Sequence, residues 1–372
     1  MVELKNAGAI LTIDVRSAVK NFLKIKQAIG SKTDCAVAIK TDAYGLGAEK
    51  IAPSLAAAGC QNFFVAHVFE GEKLREIVPN AAIYILHGIP ENCEDIFVAK
   101  KLTPVLNSIE QIKLWQSYAL KNAQKLKAVI HIDTGMVRLG LNMSDFKKLM
   151  SDEEAFKGIN PFMLMSHLAC ADENNHPKNE EQLNLFLEAK KLFAQRFPEA
   201  IYSFSSSAGI NLGKEYHFDL VRPGIAIYGG GGVVIDNHFE KMKPVVNLAA
   251  RILQINEIKD KETVGYGATW KAENQKRIAT VAAGYGDGFL RSFANKLTGY
   301  IGTTKVFCAG RLSMDLITFD VTNVPLEECQ VGKFIEIIGK NNTIDDIAAL
   351  ANTANYEIIT SLGKRYYREY LI

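Results

Sequence analysis

Lys40 closes an apolar run, Cys-Ala-Val-Ala-Ile-Lys over 35–40, and a turn follows it at once. An amine placed there is partly desolvated, which lowers its pKa from about 10.4 and frees its lone pair. That is the state that Schiff-base chemistry with an aldehyde requires. Taken alone, the position is better explained by a lysine that lays its methylenes on apolar surface and lifts its ammonium into water. Other reactive types stand at similar places. Ser207 follows the run 202–205, and Gly224 follows Arg222-Pro223 after the run 218–221. A hydroxyl and a glycine that lets backbone amides approach closely suit a phosphate. His67, His87, His131 and His167 also lie at or near run ends and suggest a metal site. No His-x-His pair occurs and no carboxylate ends the last run, so the metal reading ranks lower.

These residues need elements to position them. Short apolar runs recur at 35–40, 63–66, 83–86, 103–106, 129–132, 162–165, 202–205 and 218–221. Most lack polar alternation, as expected of strands covered on both faces. Helical spacing separates them. Val15, Val19, Phe22, Ile25 and Ile29 recur every three or four residues, with Asp14 as cap and Gly30 as stop. Eight strand–helix units predict an α/β fold, a (β/α)8 TIM-type barrel. A doubly wound sheet competes, but Gly45-Leu-Gly47 lacks the third glycine of its phosphate fingerprint. In barrels, reactive groups gather at the C-terminal strand ends, and phosphate sites lie after strands 7 and 8. A lysine on strand 1 and a phosphate cup at strands 7 and 8 fit one ligand, pyridoxal phosphate.

The texture changes after the glycine run 229–232, which reads as a flexible link. The runs 248–258, 278–283, 300–308, 317–321 and 334–338 alternate with turn signals and predict a mostly β module. One capped helix is expected over 343–351. The expected division is a barrel over 11–235 and a β domain over 236–372. The cluster Tyr366, Tyr367 and Tyr370 reads as packing.

Composition narrows the classes. At 372 residues the chain is long enough for about two domains. Its 43 basic and 41 acidic side chains leave +2, without the basic stripe of a nucleic-acid protein. No run approaches a membrane span, and the first residues carry no secretory pattern. The six cysteines have no paired spacing. A reduced, cytoplasmic enzyme is expected.

Eight segments in order resemble the alanine racemase family: AIKTDAYGLG (38–47), DTGMVRLG (133–140), SH (166–167), VRPG (221–224), VGYG (264–267), YGDG (285–288), GRLSMD (310–315) and NYE (355–357). The resemblance implies a pyridoxal 5'-phosphate barrel with a C-terminal β domain, to which residues 1–10 add a strand. It implies a homodimer with shared active sites. Lys40 forms the internal aldimine. Tyr44, Ser207, Gly224, Ile225 and Tyr356 hold the phosphate, Arg222 faces the pyridine nitrogen, His167 also belongs to the cofactor site, Arg138 bonds the cofactor's phenolic oxygen, and Arg138 and Met314 bind the substrate carboxylate. Lys40 serves the D face of the substrate and Tyr266, from the partner, the L face. Cationic His167 and Arg222 nearby would favour the ionised phenol. Ala169, Tyr285 and Tyr356 ring the entrance, with Asp172, Arg291 and Arg311 further out.

The chain departs from the family pattern at three places. His131 replaces a lysine that becomes a carbamate, Ser206 replaces a common asparagine, and Ala354 replaces a larger entrance residue. The implied activity is alanine racemisation that supplies D-alanine for peptidoglycan. A racemase of broader specificity, acting on serine or basic amino acids, is the alternative. Basic amino acid decarboxylases place a carboxylate at the pyridine nitrogen, so Arg222 argues against them.

Overall fold

The structure is a computed structural model and describes residues 3–372. Seven parallel strands follow the expected runs within a few residues: Asn62–Val65, Ala82–Ile85, Leu102–Leu106, Leu126–His131, Ile159–Met165, Ile201–Ser203 and Leu220–Val221. The first expected strand is broken into Asp34–Cys35 and Val37–Ala38. The break has a geometric reason. Asp34–Cys35 pairs with Leu220–Val221, whereas Val37–Ala38 pairs with Phe63 and Phe64. One strand must bond both its neighbours to close the sheet, so it bends between them.

Alternation of side chains sorts the core into two compartments. Ala36, Phe64, Tyr84, Val105, Val129, Met163 and Leu220 point inward and fill the barrel. Their neighbours Val37, Phe63, Val65, Ile83 and Ile130 point outward and pack under the helices. The first helix, Val15–Ile29, begins as its sequence predicts. Asp14 accepts the Ser17 amide at 3.3 Å, and Gly30 ends the helix at φ +74°. Val15, Ala18, Phe22, Ile25 and Ile29 form its buried face. Among the described residues no helix is long and apolar enough to cross a membrane.

The second module is one curled eight-stranded sheet. Its order is Lys276–Val281, Ile317–Asp320, Thr304–Cys308, Thr298–Ile301, Phe334–Ile338, Val246–Ile258, Ala9–Asp14 and Tyr367–Leu371. The 13-residue strand Val246–Ile258 is long enough to pair with Lys276–Val281 as well, which curls the sheet on itself. Three expectations need correction. The run 300–308 is a hairpin, because Gly302 at φ +58° turns the chain. The strand expected over residues 1–10 runs Ala9–Asp14, while Leu4–Asn6 is a 3-10 turn; Met1 and Val2 lie outside the described residues. The glycine run 229–232 is not a loose link. Gly231 donates its amide to Asp345, and Gly232 opens a hairpin, Gly232–Ile235 with His238–Lys241.

Side chains bind the two modules at their seam. Asn21, fully buried, donates to the Ile227 and Lys243 carbonyls and accepts the Lys243 amide at 2.8 Å. The tyrosine cluster does more than pack: the Tyr370 hydroxyl donates to the Leu46 carbonyl and Tyr366 to that of Asp287. Asn21→Ala would leave three backbone groups at this seam without their partner. Stability should fall by about 2–4 kcal/mol, read as a lower urea midpoint.

Candidate active site

Lys40 stands on an unusual turn. Thr41, Asp42, Ala43 and Tyr44 all adopt left-handed backbone, with φ of 55–57°. Each such non-glycine residue costs about 1–2 kcal/mol, so the turn persists only where its surroundings over-determine it. They do so from four sides. Glu70 accepts the Thr41 amide at 2.6 Å, and Asp42 accepts that of Ala48 at 2.8 Å. Arg368 and Tyr370, from the last strand of the β sheet, donate to the Gly45 and Leu46 carbonyls. The turn swings Lys40 and Tyr44 into the same cavity at the C-terminal mouth of the barrel.

That cavity holds about 600 Å³. Lys40, Tyr44, Arg138, His167, Ser207, Arg222, Gly224 and Tyr356, all singled out from the sequence, line it, with His131 and Ser206. Three cations face it and no Asp or Glu does. Arginine ion pairs among the described residues involve Arg16 and Arg365, not Arg138 or Arg222. The site is therefore built to receive anionic groups.

Arg222 is 5% exposed. Its guanidinium donates to Ser203 Oγ and to the Ser166 and Phe204 carbonyls. Burial lowers its pKa to about 10, so it stays charged at neutral pH. Beside it, Tyr44 packs against Tyr228 and Tyr356, with ring centroids at 4.7 and 6.0 Å. Ser207 Oγ accepts the Gly224 amide at 2.9 Å and the Ala226 amide at 3.3 Å. Among the described residues the Ile225 amide has no backbone partner. A Cβ on Gly224 would lie 2.1 Å from the Tyr44 hydroxyl, so glycine alone permits this close approach. Hydroxyls and amides converge here as a phosphate cup requires. The donor set thus fits pyridoxal phosphate.

The histidines correct one expectation. Burial and Arg222 hold the His167 pKa well below its ordinary value, so His167 is neutral. His167 therefore adds no positive charge to that of Arg222. His131 is also neutral, its pKa pushed down to about 3 by burial. Its Nδ1 lies 2.7 Å from Asn107 Oδ1. The Asn107 Nδ2 hydrogens are directed to the Leu86 and Val105 carbonyls, so Oδ1 must accept and His131 Nδ1 must carry the proton. His131 Nε2 is therefore an acceptor. His67 and His87 stack edge to face at 4.4 Å.

The remaining sequence candidates divide. Asp172, Ile225 and Ala354 line an adjoining cavity of about 820 Å³, which shares Ser207 and Tyr356 with the first. Ala169 donates its amide to Gln182. Tyr266, Tyr285, Arg291, Arg311 and Met314 line neither cavity of their own chain. Tyr266 sits between Gly265 and Gly267, both near φ +73°, and is 71% exposed; Met314 is 54% exposed. The Tyr285 and Gly286 amides donate to the Ser313 and Met314 carbonyls, and Arg365 clamps Asp287 and Asp315, so these loops form one unit. The sequence reading missed Glu70, Asn107 and Gln182. Glu70 follows His67, which is no standard helix cap, so its local signal was weak.

Barrel, β module and lysine-bearing mouth define the class: a (β/α)8-barrel protein shaped to capture a carbonyl compound that carries an anionic group. A profile described as "Alanine racemase, N-terminal domain" matches residues 13–231, and "Alanine racemase, C-terminal domain" matches 245–370. An alanine racemase of Rhodospirillum rubrum is 42% identical over 365 residues, 98% of this chain and 96% of its own. The crystal structure of alanine racemase from Bartonella henselae with covalently bound pyridoxal phosphate superimposes with a TM-score of 0.89, at 38% identity, covering 98% of this chain and 99% of that one. The biosynthetic alanine racemase of Pseudomonas aeruginosa gives 0.88 at 30% identity, with 98% and 99% covered. The chain belongs to the alanine racemase family.

Neutral His131 has a measurable consequence. The unfolded imidazole takes up a proton near 6.5, the folded one at about 3. Its contribution to stability is full above pH 6.5 and falls below it, by about 1.4 kcal/mol per pH unit. NMR of the ring should show no titration between about pH 5 and pH 8. An inflection near the ordinary histidine value would contradict the neutral assignment.

Proposed function

We propose that this chain interconverts L-alanine and D-alanine with pyridoxal 5'-phosphate. The observation that carries the reading is the mouth cavity, where Lys40 shares the wall with two unpaired arginines and no carboxylate. When bound, the cofactor supplies an electron sink that makes the α-proton of an amino acid removable. The protein does the rest. Tyr44, Ser207, Gly224, Ile225 and Tyr356 would hold the phosphate. Arg222 would face the ring nitrogen as a donor that never accepts.

Arg138 and the Met314 amide hold the substrate carboxylate. Lys40 moves the α-proton on the D face. Burial, and then Arg138, lower its pKa, so more of it is the neutral amine that a base must be. Tyr266 Oη moves the proton on the L face, from a second copy of the chain. Two facts support a shared site. Tyr266, Met314 and Tyr285 are exposed, and with Arg291 and Arg311 they lie outside the cavities of their own chain. Exposed Val137, Leu139 and Leu316 give the same assembly apolar surface to bury. The enzyme works in a bacterial cytoplasm, and its D-alanine enters peptidoglycan.

The direct test is covalent. Adding pyridoxal phosphate should give a visible chromophore that borohydride abolishes, and mass spectrometry should find the pyridoxyl group on Lys40. No chromophore, or a label elsewhere, would refute the assignment. Tyr266→Phe should slow deuterium loss from L-[2-²H]alanine by about 100-fold or more and that from D-alanine far less. Tyr266→Phe together with Lys40→Ala tests assembly. Mixed Lys40→Ala and Tyr266→Phe subunits, each inactive alone, should regain activity, because one site of a hybrid dimer is intact. Failure to complement would place the whole site on one chain.

A further inference from the structure

Among the elements that grip the left-handed turn, one touches the residue next to Lys40. Glu70 Oε1 accepts the Thr41 amide at 2.6 Å. Its other oxygen accepts the Ala66 amide at 2.8 Å and the His67 amide at 2.9 Å. A single carboxylate therefore joins the end of the first barrel strand to the end of the second. Capping the helix Val68–Ile77 explains the bond to His67, because Glu70 is that helix's third residue. It does not explain the reach of Oε1 across to Thr41. Asp42, Arg368 and Tyr370 hold the turn further along, at Ala48, Gly45 and Leu46. The Thr41 carbonyl accepts the Gly45 amide within the turn, and among the described residues Glu70 is the one side chain that bonds Thr41 itself.

Charge adds to geometry. Of the charged groups acting on Lys40, Arg138 disfavours its ammonium and Glu70 favours it. His87 lies in the field of the same three groups. Glu70 does not line the cavity, so it acts through Lys40 and not on a ligand.

We propose that Glu70 is a positioning residue for Lys40: its carboxylate pins the strained turn to the second strand and so aims the amine at one face of the substrate. The proposal rests on the racemase reading above, in which Lys40 and Tyr266 serve opposite faces. A positioning defect must therefore be one-sided. In Glu70→Ala, deuterium loss from D-[2-²H]alanine should slow at least ~10-fold, while loss from L-[2-²H]alanine, moved by Tyr266, slows less than ~2-fold. Capture of pyridoxal phosphate by the apo-protein, followed by its chromophore, should slow by a similar factor as the D face. Glu70→Gln keeps an oxygen for one amide and should fall between Ala and wild type. It also carries the test if the alanine variant does not fold. Equal slowing on both faces would make Glu70 merely structural and overturn the proposal, as would unchanged capture. If the wild-type protein washes deuterium from neither enantiomer, the racemase reading fails first, and the two failures are distinguishable.

Discussion

A buried guanidinium without a counter-ion organises this protein. Burying a charge costs several kcal/mol unless hydrogen bonds and an opposite charge offset it. Arg222 has the hydrogen bonds, donated to Ser203 Oγ and the Ser166 and Phe204 carbonyls, and among the described residues it forms no ion pair. Those three partners sit at or one residue past the ends of the sixth and seventh strands, so the barrel must close in register before the cation can be tolerated. Burial, and then the same uncompensated charge, keeps His167 neutral, and with Arg138 that charge leaves the mouth cationic. Such a mouth suits a ligand that carries a phosphate and a carboxylate.

The second constraint is the left-handed turn after Lys40. Its strain is opposed from the barrel by Glu70 and from the β sheet by Arg368 and Tyr370. The position of the reactive amine therefore depends on both modules being docked. Asn21 and the strand Ala9–Asp14 serve the same docking, since that strand joins the β sheet and runs straight into the first barrel helix. Stability at the seam and geometry at the site are linked through these few bonds.

Much of this was legible in the chain, and the exceptions share a cause. Continuous apolar runs marked seven strands within a few residues, because burial on both faces leaves no polar alternation to misread. Lys40, Arg222, Ser207 and Gly224 stood at strand ends, where barrel geometry brings side chains together whatever their separation in sequence. What escaped depends on relations between distant segments. The first strand breaks because it has two different neighbours, a property of closure and not of residues 35–40. Asn107 and Glu70 act through single bonds to backbone or ring atoms of other strands, and no local pattern announces such a bond. The neutrality of His167 follows from burial beside Arg222, which no spacing could reveal.

The division of labour between modules bears on how such a site excludes side reactions. On the proposed reading the barrel of one chain would supply the ring-nitrogen donor, the phosphate cup and one amine, while His131 and His167 in the same cavity are held neutral with depressed basicity. The second face is assigned in that proposal to Tyr266, which is exposed on its glycine-flanked turn. Weakly basic histidines make poor competitors for the substrate proton. Their low basicity would leave proton traffic, on the proposed mechanism, to two groups of different chemistry, an amine and a phenol, each confined to one face. A stereochemically neutral reaction would then be achieved by a site that is itself asymmetric.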